Sequence, residues 1–353
     1  MALFQVTDLD QKIWNEELKQ FLPDKILDVH CHVYKKAFFE PEAEDRAKRT
    51  VTWTKAVAEE NPFEDLLETY RLLFPGKEIR ALMFALGDTG LDQNNAYLAG
   101  VAKKTGWPAL YFSHPSQTAD EVEAHIRQGG FLGVKSYLSL APEYLPAEEI
   151  RIFDFFPNEQ LRRLNEMGAI VMCHIPRPGR LRDPVNLAQI AEIKERYPKL
   201  RLIIAHIGRA YVTEDVGNAF ETLDRYPDLM YDFCANCCEY AITEVLRHAG
   251  PKRLMFGLDL PILRMRTHRI EENGTYINLV PPGLYKDPGH DPHLREVSEE
   301  EGKRITFFAY EQLLAFKRVC ETLSLGKRDV EDVMYGNAAR LIEGARRDIY
   351  GAE

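Results

Sequence analysis

Eight short apolar runs, rich in β-branched residues, recur along the chain and alternate with segments that have helical spacing. Several runs are almost continuously apolar, which is typical of parallel strands buried on both faces. Strict alternation of strands and helices predicts a parallel α/β sheet, and eight strands favour its closure into a (β/α)8 TIM barrel. An open doubly wound sheet is the competing architecture, but no Gly-rich phosphate-binding motif follows any run. The runs are ILDVHCH (26–32), IRALMFAL (79–86), WPALYFSH (107–114), GFLGVKSY (130–137), AIVMCHI (169–175), RLIIAHIG (201–208), LMYDFCA (229–235) and RLMFGLDLP (253–261).

The segments between the runs carry helix boundary signals. Asp183 followed by Pro184 predicts the N-cap and first turn of a helix that ends before Pro198. The preceding helix is expected to stop at Gly168, and Thr213 is expected to open a later one. These signals agree with the alternating pattern.

Three segments fall outside the repeat, although we expect residues 1–353 to form one barrel domain. Residues 1–24 are expected to form an N-terminal extension with one helix. Residues 33–78 make an unusually long first crossover, with a helical pattern only from about Thr54. Residues 262–301 follow the eighth strand and are rich in Pro, Gly, His and charge, which favours a long loop. Both insertions leave the C-terminal ends of strands, so they are candidates for a cap over a site on that face.

Composition narrows the function classes. The formal net charge of -10 argues against a general nucleic-acid or anionic-membrane surface. No apolar stretch reaches the roughly 18 residues of a membrane span, and the start shows no secretory signal pattern, so we expect a cytoplasmic protein. The cluster of Cys234, Cys237 and Cys238 lacks a second Cys pair, which favours buried thiols over a zinc knuckle. His290 and His293 are interpreted as solvated loop residues rather than a metal pair.

Ionisable residues end several of the predicted strands. His30 and His32 are two residues apart at the end of the first strand, so the period of a strand places both on one face. Asp28 is expected on that same inward face, either orienting a ligand or acting as a structural carboxylate. Buried groups of this kind are costly unless they are paired or bind a metal. The further strand-end residues are Lys135, His174, His206 and Asp259.

Such a set predicts a catalytic metal site. Any one strand-end histidine is more often a core residue, but the carboxyl ends of barrel strands share one face. Several imidazoles and a carboxylate, with one position left for water, are typical of a catalytic divalent site. This donor type favours Zn²⁺, with Mn²⁺, Fe²⁺ and Co²⁺ as alternatives.

The ordered motifs resemble those of the amidohydrolase superfamily. ILDVHCH is similar to its D-x-H-x-H start, particularly in the amidohydrolase-related (amidohydrolase 2) group of TIM-barrel metal-dependent hydrolases. That group includes aminocarboxymuconate-semialdehyde decarboxylase and the γ-resorcylate decarboxylases. The resemblance continues through GVKSY, VMCHI, IIAHIGRA and FGLDLP to VMYGNAARLI, over about residues 26 to 342. FGLDLP departs from the usual FGSDxP beside Asp259 without changing the aspartate.

The resemblance implies roles for the strand-end residues. The metal ligands it implies are His30, His32, His174 and Asp259. His206 is implied to be an acid/base or electrostatic residue. Lys135 is ambiguous: a carbamylated lysine here would bridge two metals, whereas a free lysine would contact substrate or a carboxylate. We favour one metal and a free Lys135, because the surrounding motifs resemble the mononuclear group.

Two reactions are compatible with this site. We favour hydrolysis of an amide, lactone or other ester by a metal-activated water, with Asp259 accepting the proton and His206 stabilising the oxyanion. Non-oxidative decarboxylation of an aromatic or muconate-like acid is the alternative. A barrel that only binds or scaffolds would lack ligands, and none is missing.

Arginines near the site histidines indicate an anionic substrate. Arg177 and Arg209 each lie within three residues of a site histidine, in a chain that is acidic overall. A guanidinium group matches a carboxylate in bidentate fashion, so we expect these two arginines to bind a small carboxylate-bearing molecule. Solvated loop charges are the simpler interpretation of either residue alone. A homo-oligomer is compatible with the sequence.

Overall fold

The computed structural model describes residues 3–40, 49, 51, 53–87, 89–285 and 291–351. The strands are β1 (Lys25–His32), β2 (Glu78–Phe84), β3 (Tyr111–Phe112), β4 (Gly133–Lys135), β5 (Ile170–Cys173), β6 (Arg201–Ile204), β7 (Met230–Asp232), β8 (Leu254–Met255), β9 (His268–Glu272), β10 (Thr275–Val280) and β11 (Leu294–Glu296). The helices are α1 (Asp8–Ile13), α2 (Phe63–Leu73), α3 (Leu91–Thr105), α4 (Ala119–Gly129), α5 (Asn158–Met167), α6 (Pro184–Arg196), α7 (His206–Arg209), α8 (Ala219–Leu223), α9 (Glu239–His248), α10 (Glu299–Gly302), α11 (Phe308–Thr322), α12 (Lys327–Glu331) and α13 (Asn337–Tyr350).

The first eight strands form a closed parallel barrel. Strands β3 to β8 pair in chain order, and β1 pairs with β2. At one junction the Leu110 amide donates to the Met83 carbonyl at 2.8 Å, and at the other the Val29 amide donates to the Phe256 carbonyl at 3.0 Å. Every strand therefore has two hydrogen-bonded neighbours, which confirms the predicted (β/α)8 barrel.

The last helix closes the amino-terminal end of the barrel. Ala338, Ile342 and Ala345 of α13 pack into the same apolar cluster as the side chains inside the barrel. The Asn337 amide donates to two carbonyls, including that of Leu254 at the start of β8, at 2.7 Å. The barrel residues of this cluster are Leu27, Val29, Leu82, Phe84, Leu110, Leu132, Ile170, Met172, Ile203, Ala205 and Met255. The opposite, carboxyl-terminal end is left for polar residues.

A bulge in β1 changes which residues face inward. The pairing register shifts between Asp28 and Cys31. Leu27 and Val29 face the interior of the barrel, and because of this shift the next residue, His30, is turned inward as well. The expectation that Asp28 shares the inward face is therefore wrong. Its carboxylate accepts hydrogen bonds from the amide of His30 and the hydroxyl of Tyr70 on α2.

Two predicted helix boundaries are confirmed. The Asp183 carboxylate accepts a hydrogen bond from the Val185 amide at 2.9 Å, as the N-cap of α6, which ends just before Pro198. Helix α5 ends at Gly168, which adopts a left-handed conformation with φ of 62°.

Two other helix predictions are wrong in position. Thr213 begins only a 3-10 turn, because Gly217, with φ of 50°, breaks the helical conformation before α8 begins. In the first crossover, residues 53–56 form a 3-10 turn and the helix begins only at Phe63, after Pro62 at its N-cap.

The insertion after β8 contains a small sheet where a loop was expected. Strands β9 and β10 form an antiparallel hairpin through Asn273 and Gly274, whose φ angles of 52° and 72° fit a two-residue turn. Trp53 in the first crossover donates its indole N–H to the Tyr276 hydroxyl at 3.4 Å. The two predicted cap segments therefore contact each other. His293 bonds to the Tyr276 carbonyl, whereas His290 lies outside the described residues.

No helix in the described part of the chain combines the length and the apolar character that a membrane span requires.

Candidate metal centre

The two histidines of β1 are each held by an acceptor at Nδ1. His30 Nδ1 lies 3.0 Å from Asp232 Oδ2, and His32 Nδ1 lies 2.9 Å from the Ala85 carbonyl oxygen. Burial alone would raise the pKa of Asp232, but His30 beside it lowers that pKa to about 2, so the carboxylate is ionised. A carboxylate and a carbonyl can only accept. Both rings therefore carry a proton on Nδ1, and in the neutral ring Nε2 offers a lone pair.

These two lone pairs converge on the Asp259 carboxylate. The Nε2 atoms of His30 and His32 lie 3.5 Å and 3.3 Å from Asp259 Oδ1. Burial acts to raise the pKa of Asp259, but the histidines hold it well below its usual range. With both rings neutral, three electron-pair donors meet here, which is unfavourable unless a cation or a proton lies among them.

The spacing of the three donors fits a metal ion. Ligands about 2.1 Å from a tetrahedral zinc lie roughly 3.4 Å from each other, close to the separations found here. Imidazole nitrogens with a carboxylate oxygen are also the donor chemistry of catalytic zinc and related divalent ions. His30, His32 and Asp259 therefore fit a divalent metal.

His174, the fourth predicted ligand, lies near this group but is not part of it. Within the described residues, the close group of ligand atoms at this point comprises His30, His32 and Asp259. The His174 ring packs edge-on against His206, with ring centroids 5.3 Å apart. Its Nδ1 is buried and has no hydrogen-bond partner among the described residues. Its role as a ligand stays a prediction.

Lys135 is buried beside the metal donors. Its Nζ has no hydrogen-bond partner in the part of the chain that the structure describes, and lies 5.4 Å from the centre of the Phe84 ring. Burial lowers the pKa of Lys135, and Asp259 partly opposes that shift. Gly133 allows β4 to lie close to β5, because a Cβ on Gly133 would meet the Ile170 carbonyl oxygen at 1.9 Å. An unpartnered amine and an unpartnered imidazole nitrogen indicate a place for the polar atoms of a ligand.

His206 sits at the start of a strained turn after β6. All four residues of α7, His206–Arg209, have φ between 48° and 60°, so the turn is left-handed. Each non-Gly residue in this conformation costs roughly 1–2 kcal/mol, and such strain clusters at functional sites. His206 Nδ1 lies 3.0 Å from the Cys234 carbonyl, and burial lowers the pKa of the ring to about 4. The neutral ring therefore presents Nε2 as an acceptor.

The two predicted substrate arginines both have partners within the protein. Arg177 Nε lies 3.3 Å from Asp183 Oδ1. Arg209 Nη1 donates to the carbonyls of Pro176 at 2.9 Å and Ile175 at 3.3 Å, so it holds the loop after β5. Burial lowers the pKa of His174, and the positive charge of Arg209 lowers it further. Arg209 therefore lies near His174. Binding of a substrate by Arg177 or Arg209 stays a prediction.

Asp232 is a site residue that the sequence analysis missed. Its carboxylate bonds to the His30 ring and also accepts from the His206 amide at 2.7 Å. The signal was present in LMYDFCA, because Asp232 ends the seventh strand much as Asp259 follows the eighth. A strand-end carboxylate next to the predicted ligands could have been included on the same argument.

Comparisons with known proteins agree with this fold. The amidohydrolase family model matches residues 27–343. An amidohydrolase from Burkholderia multivorans with bound zinc is 14% identical with a TM-score of 0.56, covering 90% of this chain and 99% of its own. A Pseudomonas putida protein assigned as a 2-pyrone-4,6-dicarboxylic acid hydrolase is 17% identical, with a TM-score of 0.53 and coverage of 92% and 99%. For 5-carboxyvanillate decarboxylase from Sphingomonas paucimobilis these values are 12%, 0.51, 91% and 99%.

A search of proteins with curated function gave no match. The family match covers most of the chain, and its structural neighbours include both hydrolases and decarboxylases. The chain therefore belongs to the amidohydrolase-2 family of TIM-barrel enzymes.

Proposed function

We propose that the protein is a metal-dependent hydrolase that opens an amide, lactone or other ester of a small carboxylate-bearing molecule. The observation that carries the proposal is the convergence of His30 Nε2, His32 Nε2 and Asp259 Oδ1, with each ring held at Nδ1 by an acceptor. These residues, with His174 as the further candidate, would hold one divalent ion, for which we favour zinc. When bound, the ion would polarise the scissile carbonyl and lower the pKa of a water molecule.

Different side chains of the protein would accept and donate protons in the reaction. Asp259 is ionised and its side chain is 11% exposed, so its carboxylate can accept a proton from a group in the pocket. His206 was expected to stabilise the oxyanion, but the neutral ring turns its N–H toward the Cys234 carbonyl. We therefore assign His206 the role of a proton acceptor, and we assign Lys135 the role of donor to the developing oxyanion.

The substrate class is tested with paired compounds. Protein purified without chelator, with its metal content measured, is incubated with lactones, amides and aromatic acids as free acids and as methyl esters. The panel includes 2-pyrone-4,6-dicarboxylate, 5-carboxyvanillate and 2,6-dihydroxybenzoate. We expect a product that has gained one water, formed only from compounds that keep a free carboxylate. Release of CO2 would make the protein a decarboxylase instead.

The arginine prediction is tested in the same assay. Arg209→Met should raise KM for the acid form, because the loss of one partner of a buried charge pair typically costs about 2–5 kcal/mol. Arg177→Met should have the smaller effect, since Arg177 is already paired with Asp183. Faster turnover of the neutral esters would contradict the prediction of an anionic substrate. It would not affect the proposed metal site.

A further inference from the structure

We propose that Asp232 is a positioning residue that fixes the proton of His30 on Nδ1 and anchors the turn that carries His206. The inference rests on the proposed metal site and deepens it. Its starting observation is that one buried carboxylate, at the end of β7, contacts both histidines through different oxygen atoms.

The Oδ2 atom of Asp232 contacts the ring of His30 and orients it. It lies 3.0 Å from His30 Nδ1, and both side chains are buried. Because the other oxygen of this carboxylate already accepts the His206 and Cys234 amides, Oδ2 is the acceptor left for the imidazole N–H. The opposite nitrogen of the same ring, Nε2, is the one that faces Asp259. A carboxylate behind a ligating histidine fixes both its tautomer and its orientation.

The Oδ1 atom of Asp232 controls the left-handed turn. It accepts the His206 amide at 2.7 Å, the Cys234 amide at 3.2 Å and the Cys234 thiol at 2.9 Å. With the ring of His30 on the other oxygen, the carboxylate has four donors around it. A strained turn persists only where its surroundings over-determine it, and this carboxylate supplies the contact at its first residue.

Alternate residues after β7 hold the rest of the turn. The Cys234 carbonyl accepts from His206 Nδ1, and the Asn236 amide donates to the Ala210 carbonyl at 2.9 Å, just beyond the turn. Asp232 is the member of this series that also reaches His30. It therefore ties the position of a metal ligand to the position of the proposed proton acceptor.

An isosteric change separates this role from simple packing. In Asp232→Asn, the three donors around Oδ1 favour the amide oxygen there, which leaves the NH2 group facing His30 Nδ1. Two donors cannot share that contact, so His30 would move its proton to Nε2, the atom that faces Asp259. A proton on this nitrogen blocks its use as a ligand. We expect Zn²⁺ affinity to fall by about 10–100-fold, as is typical when such a partner is lost.

The test is a Zn²⁺ titration of the full-length apoprotein against a competing chelator. Asp10→Asn is the matched control, because Asp10 is also buried and hydrogen-bonded but contacts Arg266 and Thr306 instead of the site. We expect weaker zinc binding in Asp232→Asn and wild-type affinity in Asp10→Asn. Zinc affinity within about twofold of wild type in Asp232→Asn, or equal losses in both variants, would overturn the proposal. So would two zinc ions in wild type and one in Asp232→Asn, since Asp232 would then be a ligand.

A second measurement needs no folded variant. Nitrogen-15 NMR of the histidine rings in the wild-type apoprotein should show His30 as the neutral form protonated on Nδ1. A proton on Nε2 of His30 would overturn the proposal. The two failures are distinguishable, because a wild-type protein that binds no divalent metal would defeat the proposed function and leave the tautomer of His30 still measurable.

Discussion

At the scale of single residues, the candidate metal centre depends on where each imidazole keeps its proton. His30, His32 and His206 each place Nδ1 against a carboxylate or carbonyl oxygen. The three Nε2 atoms are therefore available for a cation or a proton. Lys135 is the contrasting residue, since its buried Nζ has hydrogens to donate and no partner among the described residues.

Lys135 should contribute to the reaction rather than to metal binding. In Lys135→Met, which keeps most of the length of the side chain and removes the donor, we expect kcat/KM to fall by about 10²–10³-fold, as for the loss of one oxyanion donor. Zinc content should remain at the wild-type level. Steady-state kinetics with metal analysis on one preparation checks both. Loss of metal in this variant would instead indicate a carbamylated, bridging lysine.

At the scale of secondary structure, the sequence was sufficient to place the site on the barrel face where parallel strands end. His30, His32 and Asp259 meet because the carboxyl ends of β1 and β8 are neighbours in a closed barrel. The bulge in β1 was not predictable, because the Asp28 carboxylate accepts hydrogen bonds from the His30 amide and from the Leu258 amide, and Leu258 is distant in the chain. A strict period of two residues therefore misplaced Asp28.

The left-handed turn and the hairpin were missed for different reasons. Within the sequence HIGR only Gly208 favours a positive φ, so tertiary contacts must impose four successive residues of this conformation. The hairpin did carry a local signal, Asn273–Gly274 followed by the β-branched run TYINLV. The composition of the 262–301 segment had favoured a loop. Turn chemistry was the better guide there.

The left-handed turn should tolerate no side chain at Gly208. A Cβ at this position would lie 2.5 Å from Leu181 Cδ1, and φ is 59°. We expect Gly208→Ala to lower the free energy of unfolding by about 1–3 kcal/mol, from backbone strain and crowding. Turnover should fall further than stability alone explains, because His206 begins this turn. Chemical denaturation and kinetics check this, and an unchanged kcat in a destabilised variant would contradict it.

The N-terminal extension should detach at acid pH. Burial alone would raise the pKa of Asp10, but hydrogen bonds from Arg266, Thr306 and Thr7 hold that pKa below its ordinary value. A lowered folded-state pKa means that this stabilisation is present above the unfolded pKa of about 3.9 and is lost as pH falls through the folded value.

We expect this contact to contribute about 2–3 kcal/mol near neutral pH, less than a fully buried pair because Arg266 is partly exposed. The protection of residues 3–18 against hydrogen exchange should therefore fall as the pH drops below about 4. In Asp10→Asn the same exchange should already be fast at pH 7. Slow exchange in that variant would show that apolar packing alone holds the extension.

At the scale of the whole molecule, the barrel separates stability from chemistry. Its amino-terminal end is filled by apolar side chains and closed by α13, with Asn337 bonded to the start of β8. Its carboxyl-terminal end holds the buried histidines, Lys135 and the two aspartates. The closing motif VMYGNAARLI leads into α13, and the place of this helix under the barrel explains why Ala338 is buried.

Metal removal should destabilise the whole barrel. Because the proposed ligands come from β1 and from the segment after β8, an ion there would join the two strands that close the ring. Free zinc at a hundred times its Kd would add about 2.7 kcal/mol to the free energy of unfolding. Chelation should therefore lower Tm, and added zinc should restore it. A Tm that does not respond to chelation or to zinc would exclude a tightly bound ion.

Anomalous diffraction shows whether His30, His32 and Asp259 form a metal centre. A crystal of protein purified without chelator, measured on both sides of the zinc absorption edge, reports the position of the ion. We predict one peak about 2.0–2.2 Å from Nε2 of His30, Nε2 of His32 and a carboxylate oxygen of Asp259. A peak on the other side of the His30 ring, among Asp232, Cys234 and His206, or a zinc-replete crystal in which the three donors point apart, would contradict it.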